Sequence, residues 1–340
     1  MKVLVVGVGS IGRRHAANLR ALGVGSVSVT DPDAARLGHV ARELGLRAVP
    51  HLAAGLDGGP DAVVVCAPTH RHLEIAEAAV EAGAHVLVEK PLAHSLEGVD
   101  RLAEAAARRR RGIYVGCNMR FHPGVATVRS ALRDGAVGRA LSYYARFIHS
   151  LRNRRPPGQD YRDTYSARRA EGGGVILDGV HELDYLRWLG GEVAGVDAWA
   201  AHVSDLEIDV EDTAVLMLEF ASGAIGHVLL DFVSPAKLRG CEVIGETAVV
   251  RWASEGKTPE RVRVSRDVPG QASEILFEAD AYDGNAMYLE EMRWFLAAAA
   301  GEATPLADLA AGSRALELAL RARATAEARG DALPRGVESG

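Results

Sequence analysis

The sequence predicts an α/β protein: a doubly wound parallel sheet over the first third of the chain, then an α+β domain built on a large, mostly antiparallel open sheet. Three observations carry this. Up to about residue 120, short β-branched runs alternate with longer stretches of helical spacing, the pattern of βαβ units with helices on both faces of a parallel sheet. Beyond Pro123 the strand-like runs lengthen and are separated by hairpin signals such as Ser222-Gly223. The chain has 340 residues, about twice a typical domain, with 48% hydrophobic and 25% charged residues, so a folded two-domain protein is expected.

Taken in order, the first half places strands at 3–8, 26–30, 62–66, 85–88 and 113–116, with a helix at 11–22 opening the series. The second half begins with a helix at 124–134 and a strand at 139–150. An Arg/Pro-rich loop follows, then a triple glycine and an apolar helix at 175–189. Strand-like runs at 193–204, 212–221, 223–234, 238–252, 260–267 and 273–279 make the antiparallel sheet, and helices at 284–300 and 307–328 close the chain. The domains are expected at 1–121 and 122–330, with 331–340 a loose tail.

A net charge of −6 gives no global field to hold nucleic acid or an anionic membrane. Three cysteines, Cys66, Cys117 and Cys241, lack metal or disulfide spacing, which argues against both zinc and a disulfide framework and favours the cytosol. No apolar run approaches the ~18 residues of a membrane span. Of 39 basic residues only four are lysines, so each lysine is worth inspecting.

Gly7-Val8-Gly9-Ser10-Ile11-Gly12 fits G-x-G-x-x-G, and its position between an apolar strand and a helix gives the pattern its weight. Such glycines allow a tight turn, close approach to a pyrophosphate and close helix-on-strand packing. Asp31 ends the second strand, where a carboxylate accepts from an adenosine 2′-hydroxyl and repels a 2′-phosphate, favouring NAD over NADP. The competing reading makes Asp31-Pro32-Asp33 a turn and helix cap.

Glu89-Lys90-Pro91 stands at the end of the 85–88 strand, the end at which ligands bind in such sheets. A lysine there can lose its proton when partly desolvated, whereas an arginine cannot. After Gly172-Gly173-Gly174, the apolar 175–189 helix carries Asp178, His181 and Asp184. Buried ionisable groups on such a helix are costly unless paired or working on a ligand. Asp178 and His181 lie one turn apart and can share a substrate.

Together these segments resemble the glucose-fructose oxidoreductase / inositol dehydrogenase (Gfo/Idh/MocA) family. The matching pieces are GVGSIG (7–12), CAPTHRH (66–72), AGAHVLVEKPLA (82–93), NMRFHP (118–123), YR (161–162) and GGGVILDGVHELDYLRWLGG (172–191). The resemblance implies a Rossmann domain, a second domain whose open sheet mediates a homodimer or homotetramer, and NAD-dependent hydride transfer at a carbon of a sugar, cyclitol or nucleotide-sugar. It implies Lys90 and His181 as the acid/base pair and Asp178 as a substrate-orienting group. Gly7, Gly9, Ser10, Ile11, Gly12, Asp31, Ala67, Pro68, Thr69, His72, Glu89, Lys90 and Asn118 would hold NAD, while Arg120, Tyr161 and Arg162 would join the catalytic residues on substrate. No metal is implied. Many members separate the Asp and His by three residues, whereas here only Gly179-Val180 intervene, which turns Asp178 about 100° around a continuous helix.

Arg108–Arg111 reads as a helix C-terminal cap rather than a nucleic-acid patch. The arginines of the 152–157 loop, with Arg162, Arg168 and Arg169, could grip a phosphate or carboxylate; the plainer reading is a solvated, subunit-facing loop. The primary reading is an NAD-dependent dehydrogenase or ketoreductase. A glycoside-cleaving enzyme with a transient redox cycle and a non-catalytic NAD- or sugar-sensing regulator use the same motifs.

Overall fold

A computed structural model describes residues 1–154, 160–256, 259–304 and 306–330. The tail expected at 331–340 lies outside the described residues. The chain divides into two units, the first made of Met1–Asn118 with Asn285–Leu316, the second of Met119–Gly284 with the chain from Glu317 onward.

The first unit holds a six-stranded parallel sheet in the order β3-β2-β1-β4-β5-β6. Its strands are β1 (Lys2–Val6), β2 (Ser26–Thr30), β3 (Arg47–Ala48), β4 (Ala62–Val65), β5 (His85–Val88) and β6 (Ile113–Val115). β1, β4 and β5 are valine-rich and buried because helices cover both faces, so no polar alternation is needed. Between them run α1 (Ser10–Ala21), α2 (Ala34–Leu44), α3 (Leu52–Asp57), α4 (His72–Glu81) and α5 (Val99–Arg109). Asp33 caps α2 by accepting from the Arg36 N–H, and Gly45 ends it in the left-handed conformation. The basic end of α5 is spent on the neighbouring helix rather than on its own carbonyls: Arg108 and Arg109 both pair with Glu81 of α4 and Arg111 donates to the Gly83 carbonyl, while the backbone N–H of Arg110, in the left-handed conformation, closes α5.

The sequence division left both closing helices in the second domain, whereas the structure returns 285–316 to the first unit. The reason is apolar matching. On α9 (Asn285–Ala299), Met292, Phe295 and Ala298 complete the core of Val3, Val5, Leu19 and Leu87, and Tyr114 meets Trp294 and Phe295 edge-on at 5.3 and 5.6 Å.

The second unit is an eight-stranded sheet in the order β14-β13-β12-β11-β7-β10-β9-β8, antiparallel throughout except for the β7–β10 pair. Its strands are β7 (Ala140–Ser150), β8 (Val193–Ala201), β9 (Thr213–Phe220), β10 (Ile225–Asp231), β11 (Val233–Gly245), β12 (Val249–Glu255), β13 (Glu260–Asp267) and β14 (Glu274–Tyr282). The run expected as one strand at 238–252 is split between β11 and β12 by a tight turn at which Gly245 N–H bonds the Ala248 carbonyl. Across the turn the buried positions pass from Cys241 and Val243 to Ala248, Val250 and Trp252, a change of parity around exposed Glu246 and Thr247. β9 alternates cleanly: Ala214, Leu216, Leu218 and Phe220 are buried, while Val215 and Met217 face outward. Helix α6 (Pro123–Arg133) packs on β12, and the helix expected at 175–189 is two pieces, α7 (Val175–Asp178) and α8 (Val180–Gly190), with α8 on β7. α10 (Leu309–Ala328) closes the described chain.

Candidate active site

The glycine loop of the first unit is shaped for an anion. Gly7 takes φ +84, and a Cβ there would lie 2.7 Å from the Cys66 carbonyl oxygen. A Cβ on Gly12 would overlap the Gly7 carbonyl, so only glycine lets α1 start this close to β1. Gly9 differs, since a Cβ there meets nothing within 4 Å. It is also the N-cap of α1 and supplies no side-chain bond to the first-turn N–H groups, which are left for a ligand anion beside exposed Ser10 and half-buried Ile11.

Asp31 sits at the end of β2, buried, and does more than either sequence reading allowed. One carboxylate oxygen accepts from the Val8 N–H at 2.8 Å, fixing the glycine loop, and the other accepts from Asp33 N–H and the Arg36 guanidinium, both at 2.9 Å. Asp33 alone caps the next helix. Ala67, Pro68 and Thr69 follow β4, Thr69 buried and Pro68 exposed. The ring nitrogens of His72 face the Ala67 and Pro91 carbonyls at 2.8 and 2.9 Å, between two strand-end loops. Burial pushes its pKa down against the pull of those carbonyls, and the neutral ring, with one N–H, donates to one of them at a time. Asn118 is buried with its Oδ1 unpartnered, an acceptor suited to a cofactor amide. An open Gly9, an uncapped α1 and this orphaned acceptor fit a dinucleotide.

At the end of β5, the buried Glu89 carboxylate has two protein partners. Its Oε1 lies 2.6 Å from His15 Nε2 and its Oε2 accepts from the Lys90 N–H at 3.1 Å. Lys90 itself is half-buried. His15 was not singled out from the sequence; an ionisable residue on the buried face of α1, three residues after Gly12, was the available signal.

In the second unit Asp178 and His181 are both buried, but not on one helix. The break at Gly179 separates them, and the angle counted along a continuous helix does not apply. A Cβ at Gly179 would press on Leu230 at 2.7 Å, so the break sits where the helix meets β10. Asp178 accepts from the Tyr165 hydroxyl at 2.9 Å, a partner the sequence did not suggest. Asp184, third of the expected trio, is gripped by Arg120 in a buried fork at 2.9 and 2.6 Å. Arg120 was expected on substrate, and its planar group is engaged here inside the fold.

The described arginines of the arginine-rich loop are likewise matched by acids, from the loop itself and from elsewhere in the second unit. Exposed Arg162 pairs with Asp160 and Glu207, and Tyr161 accepts from the Glu207 N–H. Arg152 pairs with Asp205, Arg168 with Asp163 and Glu171, and Arg169 with Glu327. Arg155, Pro156 and Pro157 of the expected anion loop lie outside the described residues, as does the Arg154 side chain.

Two family models match the chain: an oxidoreductase family described as an NAD-binding Rossmann fold over residues 1–117, and a GFO/IDH/MocA C-terminal domain over 125–251. Inositol 2-dehydrogenase 1 of Saccharopolyspora erythraea is 33% identical over 320 residues, covering 89% of this chain and 87% of that protein. The scyllo-inositol 2-dehydrogenase (NAD(+)) of Bacillus subtilis is 30% identical over 244 residues, 69% of this chain and 68% of its own length. Among solved structures, UDP-N-acetylglucosamine 3-dehydrogenase GnnA from Acidithiobacillus ferrooxidans superposes with a TM-score of 0.78 at 26% identity, over 96% of this chain and 98% of that one.

Proposed function

The chain belongs to the GFO/IDH/MocA oxidoreductase family, and from that premise we propose that it is an NAD-dependent dehydrogenase acting on a secondary alcohol of a sugar, cyclitol or nucleotide-sugar. The observation that carries the reading is the first unit's own geometry. One compact body holds an uncapped, glycine-shaped helix start and, at the end of the fifth strand, a half-buried lysine in a chain that otherwise prefers arginine. The dehydrogenase names of the relatives supply the substrate class.

NAD bound here would supply the hydride acceptor. Gly9 gives the backbone room for its pyrophosphate while Gly7 and Gly12 let α1 start close to β1, the α1 N–H groups face that charge, and Asp31 serves its ribose while holding the loop. Lys90 and His181 divide the removal of the hydroxyl proton, and Asp178, steadied by Tyr165, orients the substrate. Three free, buried cysteines suit a reducing compartment, and we assign the protein to the cytosol. Among the described residues no helix is long and apolar enough to cross a membrane. Assembly through the open sheet is part of the proposal: Trp199 and Val215 are register partners, and with Met217 and Ile225 they expose an apolar face suited to a second copy.

The test is turnover with NAD on a panel of cyclitols, free sugars and nucleotide-sugars, read as net NADH release. A positioned acid/base contributes ~10²–10⁴-fold, so Lys90→Ala and Lys90→Arg should both fall by about that much while NAD affinity holds. If Lys90→Arg retains even about a third of the turnover, the acid/base role is lost. Glycoside cleavage without net NADH, or binding without any conversion, would replace the dehydrogenase by one of the other two readings.

A further inference from the structure

Behind Lys90 lies a buried group of ionisable residues that the proposed chemistry does not use. His15 on α1, Glu89 after β5 and Glu291 on α9 are all buried, with one donor atom from each lying within 4.8 Å of the others. The 2.6 Å between His15 Nε2 and Glu89 Oε1 is a hydrogen-bond distance; two ligands sharing an ion at ~2.0–2.2 Å would stand farther apart. The pair is a hydrogen bond.

Glu89 is placed by backbone as well as by side chains. Its N–H continues the parallel ladder to the Val65 carbonyl, and the Gly116 N–H bonds the Val88 carbonyl beside it. Gly116 makes room for the carboxylate: a Cβ there would stand 3.2 Å from Glu89 Cδ and Oε2. With Oε1 on His15 and Oε2 on the Lys90 N–H, the side chain has one orientation. We propose that Glu89, clasped by His15, is the positioning residue of Lys90: it fixes the lysine's backbone at the strand end and, as the preceding residue, supplies a buried negative charge that acts on its amine. This rests on the acid/base reading of Lys90 and names the group that stands behind it.

The surrounding groups agree with an ionised Glu89. Burial pushes its carboxyl up, but the His15 hydrogen bond and the Lys90 charge prevail and hold it below the usual range. Burial and the nearby Glu89 charge raise the Cys66 thiol and the Tyr288 hydroxyl, with Glu291 adding to both, so those two stay neutral. Arg14 lies over the Tyr288 ring at 4.5 Å, and His72, near the same carboxylate, is kept neutral by burial.

The test reads the amine itself. With only four lysines in the chain, trace acetylation by acetic anhydride across a neutral-to-alkaline pH series, followed by peptide mass spectrometry, resolves the titration midpoint of Lys90, and exposed Lys2 serves as control. A negative charge stabilises the ammonium, so Glu89→Gln should lower the Lys90 midpoint by about one unit and leave Lys2 unmoved. His15→Phe should move it the same way, because without the imidazole burial protonates Glu89. Either variant, shown to be folded by far-UV circular dichroism and a cooperative melt, overturns the proposal if its Lys90 midpoint stays at the wild-type value. A Lys90→Ala enzyme that keeps its turnover would end the acid/base reading and leave the midpoint result standing, so the two failures are distinct.

Discussion

Two glycine-rich runs open helices in this chain, and they differ at one position. At Gly7–Gly12 the outer two glycines admit the protein's own backbone, but Gly9 between them faces nothing within 4 Å, and α1 begins with no side-chain cap. At Gly172–Gly174 the space is already filled by the protein. A Cβ on Gly173 would overlap the Tyr165 carbonyl, and one on Gly174 would overlap the Glu211 carboxylate. Glu211 also accepts from the Ile176 N–H at 3.2 Å through its side chain and from the Val175 N–H at 3.1 Å through its carbonyl. One helix start is left for a ligand's anion, and the other holds the chain's own. Glycines before a helix look alike in sequence; what separates the two is an acid 37 residues beyond the run.

The comparison is broken most severely within the first run. Gly12→Ala drives a methyl into the Gly7 carbonyl, so α1 must leave β1 and NAD binding should be lost by ~100-fold or more. Gly9→Ala should separate function from fold. Its φ of −63 suits any residue and its methyl has room, so thermal stability of the apo protein should stay within about 0.5 kcal/mol. The same methyl occupies the approach to the pyrophosphate, and NAD affinity measured by calorimetry should fall ~10-fold. Equal loss of stability and affinity in Gly9→Ala would mean that this loop, too, is filled by protein.

How much was legible follows the same line. Strands at 26–30, 85–88 and 260–267 were bounded correctly because β-branched runs end there in turn residues, and the nucleotide motif was legible because its parts are consecutive. Pairings made at long range were not. Arg120 finds Asp184 across 64 positions, and half-buried Arg239 finds Glu182 across 57, forming a second fork on the same helix. Neither spacing leaves a periodic trace. The helix break at Gly179 was hidden for a related reason, since the contact with Leu230 that accompanies it belongs to another strand. α9 showed its apolar face in sequence, but an apolar face does not say which core it joins.

Gly174→Ala sharpens the comparison from the other side. At φ +106 and ψ 152 this residue occupies a conformation almost confined to glycine, and its methyl would displace the buried Glu211 carboxylate from the Ile176 N–H. We expect a loss of about 3 kcal/mol in stability by chemical denaturation, with NAD affinity per folded molecule unchanged. Wild-type stability in this variant would show that Glu211 does not fill the turn.

The smallest effect tests the resident anion itself. Burial raises the Glu211 carboxyl above its ordinary range against its backbone hydrogen bonds and the charges of Arg323 and Arg169. A carboxyl raised on folding binds more protons in the folded state than in the unfolded one. Its contribution to stability is therefore full below the unfolded value and declines as pH rises through the folded one. Glu211→Gln removes that decline, so its stability relative to wild type should improve as pH rises from about 4 toward neutrality. His122 works in the opposite sense: buried against Trp252 and Tyr282, its pKa is pushed down to about 3, so its contribution is lost as pH falls below the ordinary histidine range. Because His122 is present in both proteins, the difference between their melting curves cancels it and isolates Glu211. A difference that is flat with pH would mean that the carboxylate at the α7 start is solvated, and the contrast between the two glycine runs would then rest on shape alone.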